Sequence, residues 1–175
     1  ELGCGSGIPV SEALVRSGFD VYGIDAAPSL VAAFRRRFPA AHVACETVED
    51  SPFFDRSFDA AVAIGLLFLL PEQTQRDVVR RVAGVLKPGG RFLFTAPVEA
   101  GSWPDSLTGR PSVSLGIDGY KGLIDDAGLM LVGEYLDEIT GDWINRNDRS
   151  RYYNHSTYAD LLITGMIGLR PRADD

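Results

Sequence analysis

The chain has 175 residues, 45% of them hydrophobic and 23% charged, which suits one domain with a real core. A net charge of -7 argues against a nucleic-acid groove as the main surface. The two cysteines make no disulfide framework, and no Cys/His cluster indicates a metal site. The longest apolar run, Ala60–Leu70, is too short to cross a bilayer. We therefore expect a cytoplasmic protein without metal, nucleic acid or membrane partner.

The chain opens on a glycine-rich turn. Acidic Glu1 is followed by glycines at every second position, Gly3, Gly5 and Gly7. Glycines let a backbone turn tightly and let a ligand approach without a Cβ in the way. A helix is predicted next, over residues 8–17. Glu1 is therefore expected to lie in a first strand whose upstream half is absent, so that the fold is truncated at its N-terminus.

Strands and helices alternate beyond this turn, a pattern typical of a mostly parallel sheet covered by helices. Strands are predicted over residues 21–24, 42–44, 58–64 and 91–96, and helices over 28–38, 72–86 and 117–127. Residues 87–90 are predicted to form a turn, residues 100–116 a loop or lid, and residues 129–136 a last strand. The expected fold is α/β, with a Rossmann-like, doubly wound, mostly parallel sheet.

Two acidic residues follow predicted strands. Asp25 ends the second strand, 20 residues after Gly5, where a carboxylate can accept both ribose hydroxyls of a nucleoside. Glu46 follows the third strand and is the candidate for the edge of an adenine ring. Both have plainer interpretations, Asp25 as a helix cap and Glu46, beside Glu49 and Asp50, as part of a solvated acidic loop.

These motifs together resemble a known family. The glycine turn, Asp25, the apolar strand opened by Phe58-Asp59 and the turn over residues 86–90 are similar to class I S-adenosylmethionine (SAM) methyltransferases acting on small molecules. The glycine spacing differs from the Gly-x-Gly-x-x-Gly dinucleotide pattern. The Lys-Pro-Gly-Gly turn is not a feature of dinucleotide dehydrogenases. The resemblance covers residues 1 to about 136.

The resemblance implies SAM as cofactor and a small-molecule methyl acceptor as partner. Nine residues correspond to cofactor-contacting positions: Glu1, Gly3, Cys4, Gly5 and Gly7 at the methionine part, Asp25 at the ribose, Glu46 near the adenine, and Ile64 and Gly65 near the sulfonium. No residue matches a catalytic base. Methyl transfer from a sulfonium tolerates this, because the leaving group is neutral and alignment supplies much of the acceleration.

Four residues lie beyond the fifth strand, where such a fold builds its acceptor site. They are Glu99, Trp103, Asp105 and Tyr120. Each is either an acceptor-site residue or an ordinary residue of a loop or lid.

The composition changes after residue 137. We expect a SAM-binding domain over residues 1–137 and an atypical tail over residues 138–175. The tail resembles a segment of trehalase-like (α/α)-barrel glycosidases, without a matched catalytic carboxylate. It is either foreign to the domain, as in a mis-joined reading frame, or an unusual terminal helix.

Two other functions stay open beside a methyltransferase. One is a non-catalytic SAM-binding or mis-joined fragment, which the absent first strand and the unusual tail favour. The other is a nicotinamide-dependent oxidoreductase, which stays open because such enzymes also use a carboxylate at the position of Asp25. It is less favoured, because the glycine spacing and the Lys-Pro-Gly-Gly turn count against it. The oligomeric state is not predicted.

Overall fold

The computed structural model describes residues 1–106 and 108–131. The helices are α1 (Val10–Arg16), α2 (Pro28–Arg37), α3 (Glu72–Val85) and α4 (Gly116–Asp126). The strands are β1 (Tyr22–Asp25), β2 (His42–Cys45), β3 (Phe58–Ala63), β4 (Leu86–Phe94), β5 (Ala100–Pro104) and β6 (Pro111–Leu115). Short 3₁₀ helices cover Phe53–Asp55 and Leu67–Leu69. The order of elements through β4 is the predicted alternation.

A parallel sheet is built around the first residues of the chain. Strand β1 pairs in parallel with β2, and β3 pairs in parallel with β4. Leu2 joins the two pairs, because it forms a parallel bridge with Ile24 of β1 and its N–H donates to the Val62 carbonyl of β3 at 2.8 Å. The strand order is therefore β2, β1, the Leu2 segment, β3 and β4. The carboxyl ends of these strands meet at one edge of the sheet.

Apolar clusters cover both faces of this sheet. Along β3, Ala61 and Ala63 pack in one cluster and Val62 packs in the other, because alternate side chains of a strand point to opposite faces. Helices α3 and α4 cover the first face, and α1 and α2 cover the second. Burying one such side chain as large as Phe34, which is 0% exposed, contributes about 1.5–3 kcal/mol. The sheet is thus doubly wound, as predicted.

The start of β4 differs from the prediction. Leu86 pairs with Phe58 and Arg91 pairs with Ala60, so residues 87–90 lie within the strand as an irregularity in the register. The prediction of a separate turn followed by a strand from residue 91 is therefore wrong. The glycines and proline do mark the place where the pairing breaks, because Pro88 has no N–H to donate to the ladder and Gly89 has φ +78°, outside the strand region.

The segment predicted as a loop or lid is a β-hairpin. Strands β5 and β6 pair antiparallel, with Trp103 opposite Ser112. Its turn is closed by Asp105, whose carboxylate accepts the N–H of Thr108 at 2.7 Å. The hairpin was missed because its inward residues are Ser112 and Ser114, so the strand shows no alternation of apolar and polar residues.

Residues 129–131 form no strand where the last strand was predicted to begin. The rest of that predicted strand, the domain boundary at residue 137 and the tail lie outside the described residues. Within the described part of the chain, no helix has the length and apolar character needed to cross a membrane.

Candidate functional site

The glycine turn presents bare backbone at the carboxyl edge of the sheet. Gly3, Gly5 and Gly7 have φ values of +66°, +56° and +85°, a left-handed conformation that favours glycine. A Cβ at Gly5 would meet no atom within 4 Å, whereas a Cβ at Gly7 would clash with Phe38 and lie 2.9 Å from Cδ2 of Phe34 in α2. Gly7 therefore permits close packing of α2, while Gly5 faces open space that a ligand can fill.

Asp25 connects this turn to its neighbours. Its Oδ2 accepts the N–H of Gly5 at 2.8 Å, and its Oδ1 accepts the N–H of Ala27, just before α2, at 2.8 Å. Its main-chain carbonyl accepts the N–H of Glu46 at 3.1 Å. A carboxylate has about four lone-pair sites, so two such bonds leave capacity for ligand hydroxyls. The capping role weighed from the sequence and a ribose-binding role are therefore compatible.

Glu46 is anchored in its loop. Its Oε1 accepts the hydroxyl of the buried Ser51 at 2.5 Å. The same hydroxyl accepts the N–H of Phe53 at 3.0 Å. The interpretation as a solvated acidic loop fits Glu49 and Asp50, which are exposed, but not Glu46, which is half-buried.

Glu1 and Cys4 are enclosed by the elements around the turn. The Glu1 carboxylate accepts the hydroxyl of Ser11 in α1. Burial, reinforced by the nearby Asp25 carboxylate, raises the pKa of the Glu1 carboxyl to about 7. Burial likewise raises the pKa of the Cys4 thiol to about 12, so this side chain is a neutral core group. Cys4 and the exposed Cys45 are both free thiols.

The segment after β3 lies against the glycine turn. Gly65 has φ +65°, and its N–H donates to Oγ1 of Thr95 at 2.8 Å. A Cβ built at Gly3 would lie 3.3 Å from Cδ1 of Leu66, which places the two segments in contact. The side chain of Ile64 packs into the core face covered by α1 and α2. Sequence reasoning missed Thr95, whose signal is a hydroxyl directly after an apolar strand.

The four acceptor-side candidates have different surroundings. Tyr120 is buried, and its hydroxyl donates to Oε1 of Gln75 at 3.0 Å, while Asp105 closes the hairpin turn. Trp103 is 37% exposed, and its ring centroid lies 6.1 Å from that of Phe68. Glu99 is exposed before β5. Tyr120 and Asp105 thus have structural roles, and Trp103 and Glu99 stay candidates.

An apolar cavity lies at the other edge of the sheet. The space inside it and its open mouth, solvent included, is about 360 Å³, and its lining includes Glu1 beside Tyr22 and Phe58, the first residues of β1 and β3. Glu1, one of the proposed cofactor contacts, therefore borders this pocket as well. Within the described residues, no group of His, Cys, Asp and Glu could hold a metal ion.

Comparison with known proteins identifies the family. A family described as "Methyltransferase domain" matches residues 1–94. The ubiquinone biosynthesis O-methyltransferase of Xanthomonas axonopodis is 30% identical, over 83% of this chain and 67% of that protein. The methyltransferase GfsG of Streptomyces halstedii is 30% identical, over 75% of this chain and 52% of that protein. The chain thus spans about half to two thirds of these relatives.

Solved structures agree on the fold. A SAM-dependent methyltransferase from Clostridium acetobutylicum superposes with a TM-score of 0.63 at 13% identity, over 75% of this chain and 72% of that one. One from Methanosarcina mazei gives a TM-score of 0.60 at 20% identity, over 72% and 76%.

The chain belongs to the methyltransferase-domain family. The predicted Rossmann-like α/β fold, the assignment as a SAM-dependent methyltransferase and SAM as cofactor are confirmed. The roles assigned to individual residues stay predictions.

Proposed function

We propose that this chain catalyses methyl transfer from SAM to a small-molecule acceptor, with SAM held along the carboxyl edge of the sheet. The observation that carries the proposal is the hydrogen-bonded chain from Gly5 to Asp25 to Glu46. It joins a glycine backbone beside open space, a carboxylate at a strand end and a second, anchored carboxylate. These groups suit, in the same order, the methionine end, the ribose hydroxyls and the adenine amine of SAM.

Bound SAM would supply an electrophilic methyl group on a sulfonium whose departure leaves a neutral thioether. The residues of this chain bind SAM and the acceptor and orient them. Thr95 fixes the amide of Gly65, and Leu66 keeps that segment against the glycine turn. We assign no catalytic base, since one is required only if the acceptor must lose a proton.

The acceptor proposed here has a flat, apolar part. Trp103 and Leu69 are 37% and 41% exposed, and Phe68 lies beside Trp103 just after Gly65. Aromatic side chains with exposed faces suit stacking against a planar ligand. We further propose a cytoplasmic protein without nucleic-acid or membrane partners, supported by the net charge of -7 and the two free thiols.

Calorimetric titration with SAM, S-adenosylhomocysteine and NADH tests the cofactor. We expect the first two to bind and NADH not to. Asp25→Ala should weaken binding about 10- to 100-fold, because hydrogen bonds to a charged group contribute about 1.5–3 kcal/mol. The matched control is Asp20→Ala, an exposed aspartate that lies just before the start of β1. Asp25→Asn, which keeps one acceptor, covers the case in which Asp25→Ala does not fold.

Unchanged affinity in a folded Asp25→Ala variant would remove this residue from the site. Turnover is tested with methyl-labelled SAM and a panel of phenols, amines and thiols. Transfer of label to any of them supports the enzyme. Binding of SAM without transfer to any class favours the alternative of a non-catalytic SAM-binding chain.

A further inference from the structure

The guanidinium of Arg81 in α3 forms hydrogen bonds to the main chain of the loop that follows β2. Its Nη1 donates to the carbonyl of Val48 at 2.9 Å and to that of Glu49 at 2.5 Å, and its Nη2 donates to the carbonyl of Ser51. Its Cζ also lies 4.8 Å from the ring centroid of Phe53. One guanidinium thus holds three carbonyls of a single loop. A planar fork with five N–H donors can do this, whereas a lysine ammonium acts as a point charge.

This hydrogen-bond network reaches Glu46 through Ser51. Arg81 holds the backbone of Ser51, and the hydroxyl of Ser51 donates to Oε1 of Glu46. Ser51 is 0% exposed, so its hydroxyl has little freedom to turn elsewhere. The direction of the Glu46 carboxylate is therefore coupled to a side chain on a helix about 35 positions later in the chain.

The adjacent arginine has no such role. Arg80 is exposed, and its Nη1 lies 3.0 Å from Oδ1 of Asp77 within the same helix. An exposed pair of this kind contributes about 0–1 kcal/mol. Arg80 therefore offers a control of the same residue type, on the same helix, without contact to the loop.

We propose that Arg81 is a positioning residue of the cofactor site, which acts through Ser51 to hold Glu46 in the direction that accepts the exocyclic amine of adenine. The inference rests on the proposed function, because the contact between Glu46 and adenine is part of that proposal. It predicts an effect on base selectivity, which a merely structural residue would not produce. A loosened carboxylate accepts less well from the amine of adenine and repels less strongly the carbonyl of hypoxanthine.

The test compares S-adenosylhomocysteine with S-inosylhomocysteine, in which a carbonyl replaces that amine, by calorimetry on the full chain. Wild type and Arg80→Gln should prefer the adenosyl ligand. Arg81→Gln should lose about tenfold in affinity for it, within the range expected for a residue without direct ligand contact. Its affinity for the inosyl ligand should change little, so that the preference largely disappears. Hydrogen exchange of the amides at residues 46–53 should be faster in Arg81→Gln than in wild type, and it should be unchanged in Arg80→Gln.

Two further variants keep the inference falsifiable. Ser51→Ala should also lose the preference, and the double variant with Arg81→Gln should lose no more, because both act on one path. Arg81→Lys, which keeps the charge, should fold and show an intermediate preference. If Arg81→Gln does not fold, Ser51→Ala and Arg81→Lys decide the result.

The outcomes separate the two proposals. A folded Arg81→Gln or Ser51→Ala variant that keeps the wild-type preference overturns the inference alone. Equal binding of both ligands by wild type overturns it as well, while cofactor binding stands. Failure of wild type to bind S-adenosylhomocysteine overturns the proposed function, and the inference with it.

Discussion

Gly5 and Gly7 share a left-handed backbone but have different surroundings, which makes them a matched pair for substitution. Gly5→Ala places a Cβ in open space and should cost about 1–2 kcal/mol of strain. It should fold and lose affinity for S-adenosylhomocysteine. Gly7→Ala adds a clash with Phe34 and Phe38, with overpacking worth about a further 1–3 kcal/mol. Urea unfolding and calorimetry measure both effects.

The control for this pair is Gly84→Ala. Gly84 lies in α3 without a positive φ, and its Cβ would meet nothing within 4 Å. This variant should be neutral or slightly more stable, because alanine favours a helix by about 0.5–1 kcal/mol. Normal cofactor binding by Gly5→Ala would show that the turn does not hold the ligand.

Glu1 should make stability depend on pH in a defined direction. Its carboxyl pKa is raised from 4.5 to about 7 by burial, so the folded chain binds this proton more tightly than the unfolded chain. Between these two pKa values the folded state carries more protons, and the free energy of unfolding contributed by Glu1 falls as pH rises. The contribution of Glu1 to the free energy of unfolding is fully present below pH 4.5 and is lost above about pH 7.

Urea unfolding of wild type and Glu1→Gln at several pH values across this window measures that contribution. The glutamine variant does not titrate, so its stability should fall less steeply with rising pH. Identical slopes for the two proteins would show that Glu1 titrates normally in the folded chain.

At the scale of elements, Gln75 joins four segments. Its Nε2 donates to the carbonyls of Leu70 and of Val113 in β6, both at 2.8 Å, and its Oε1 accepts from Tyr120 of α4. Tyr120→Phe leaves that oxygen without its donor and should cost about 1–3 kcal/mol. Gln75→Ala removes all three bonds and leaves a cavity, so it should cost about 2–5 kcal/mol.

Chemical unfolding of the two single variants and of the double variant measures these costs. The exposed Gln73, two positions earlier in α3, is the control and should tolerate alanine. Strictly additive effects of Gln75→Ala and Tyr120→Phe would contradict a shared hydrogen bond.

At the scale of the whole molecule, residues 1–131 contain both apolar clusters and all nine proposed cofactor contacts. Deleting residues 140–175 should therefore leave the affinity for S-adenosylhomocysteine within a few fold. Calorimetry on the shortened chain, after circular dichroism has confirmed its fold, makes the measurement. Loss of binding in a folded variant would show that the tail belongs to the domain.

Much of the site could be predicted from local signals. The glycine turn, Asp25 and Glu46 follow strands that can be predicted from short apolar runs. Parallel strands bring their carboxyl ends to one edge of the sheet, so these residues are expected to lie together. The β5–β6 hairpin could not be predicted, because Ser112 and Ser114 are its inward residues. Its burial depends on packing against α3, which no local pattern reports.

The sequence by itself determined the alternation of strands and helices, the left-handed turn and the family, because each depends on residue type and spacing over short stretches. Only the tertiary structure decided what those residues touch. It placed Leu2 between β1 and β3, brought Phe34 of α2 against Gly7, and set Arg81 on the carbonyl of Ser51, 30 residues away. Such contacts join chain segments that are far apart, so they exist only once the elements have packed.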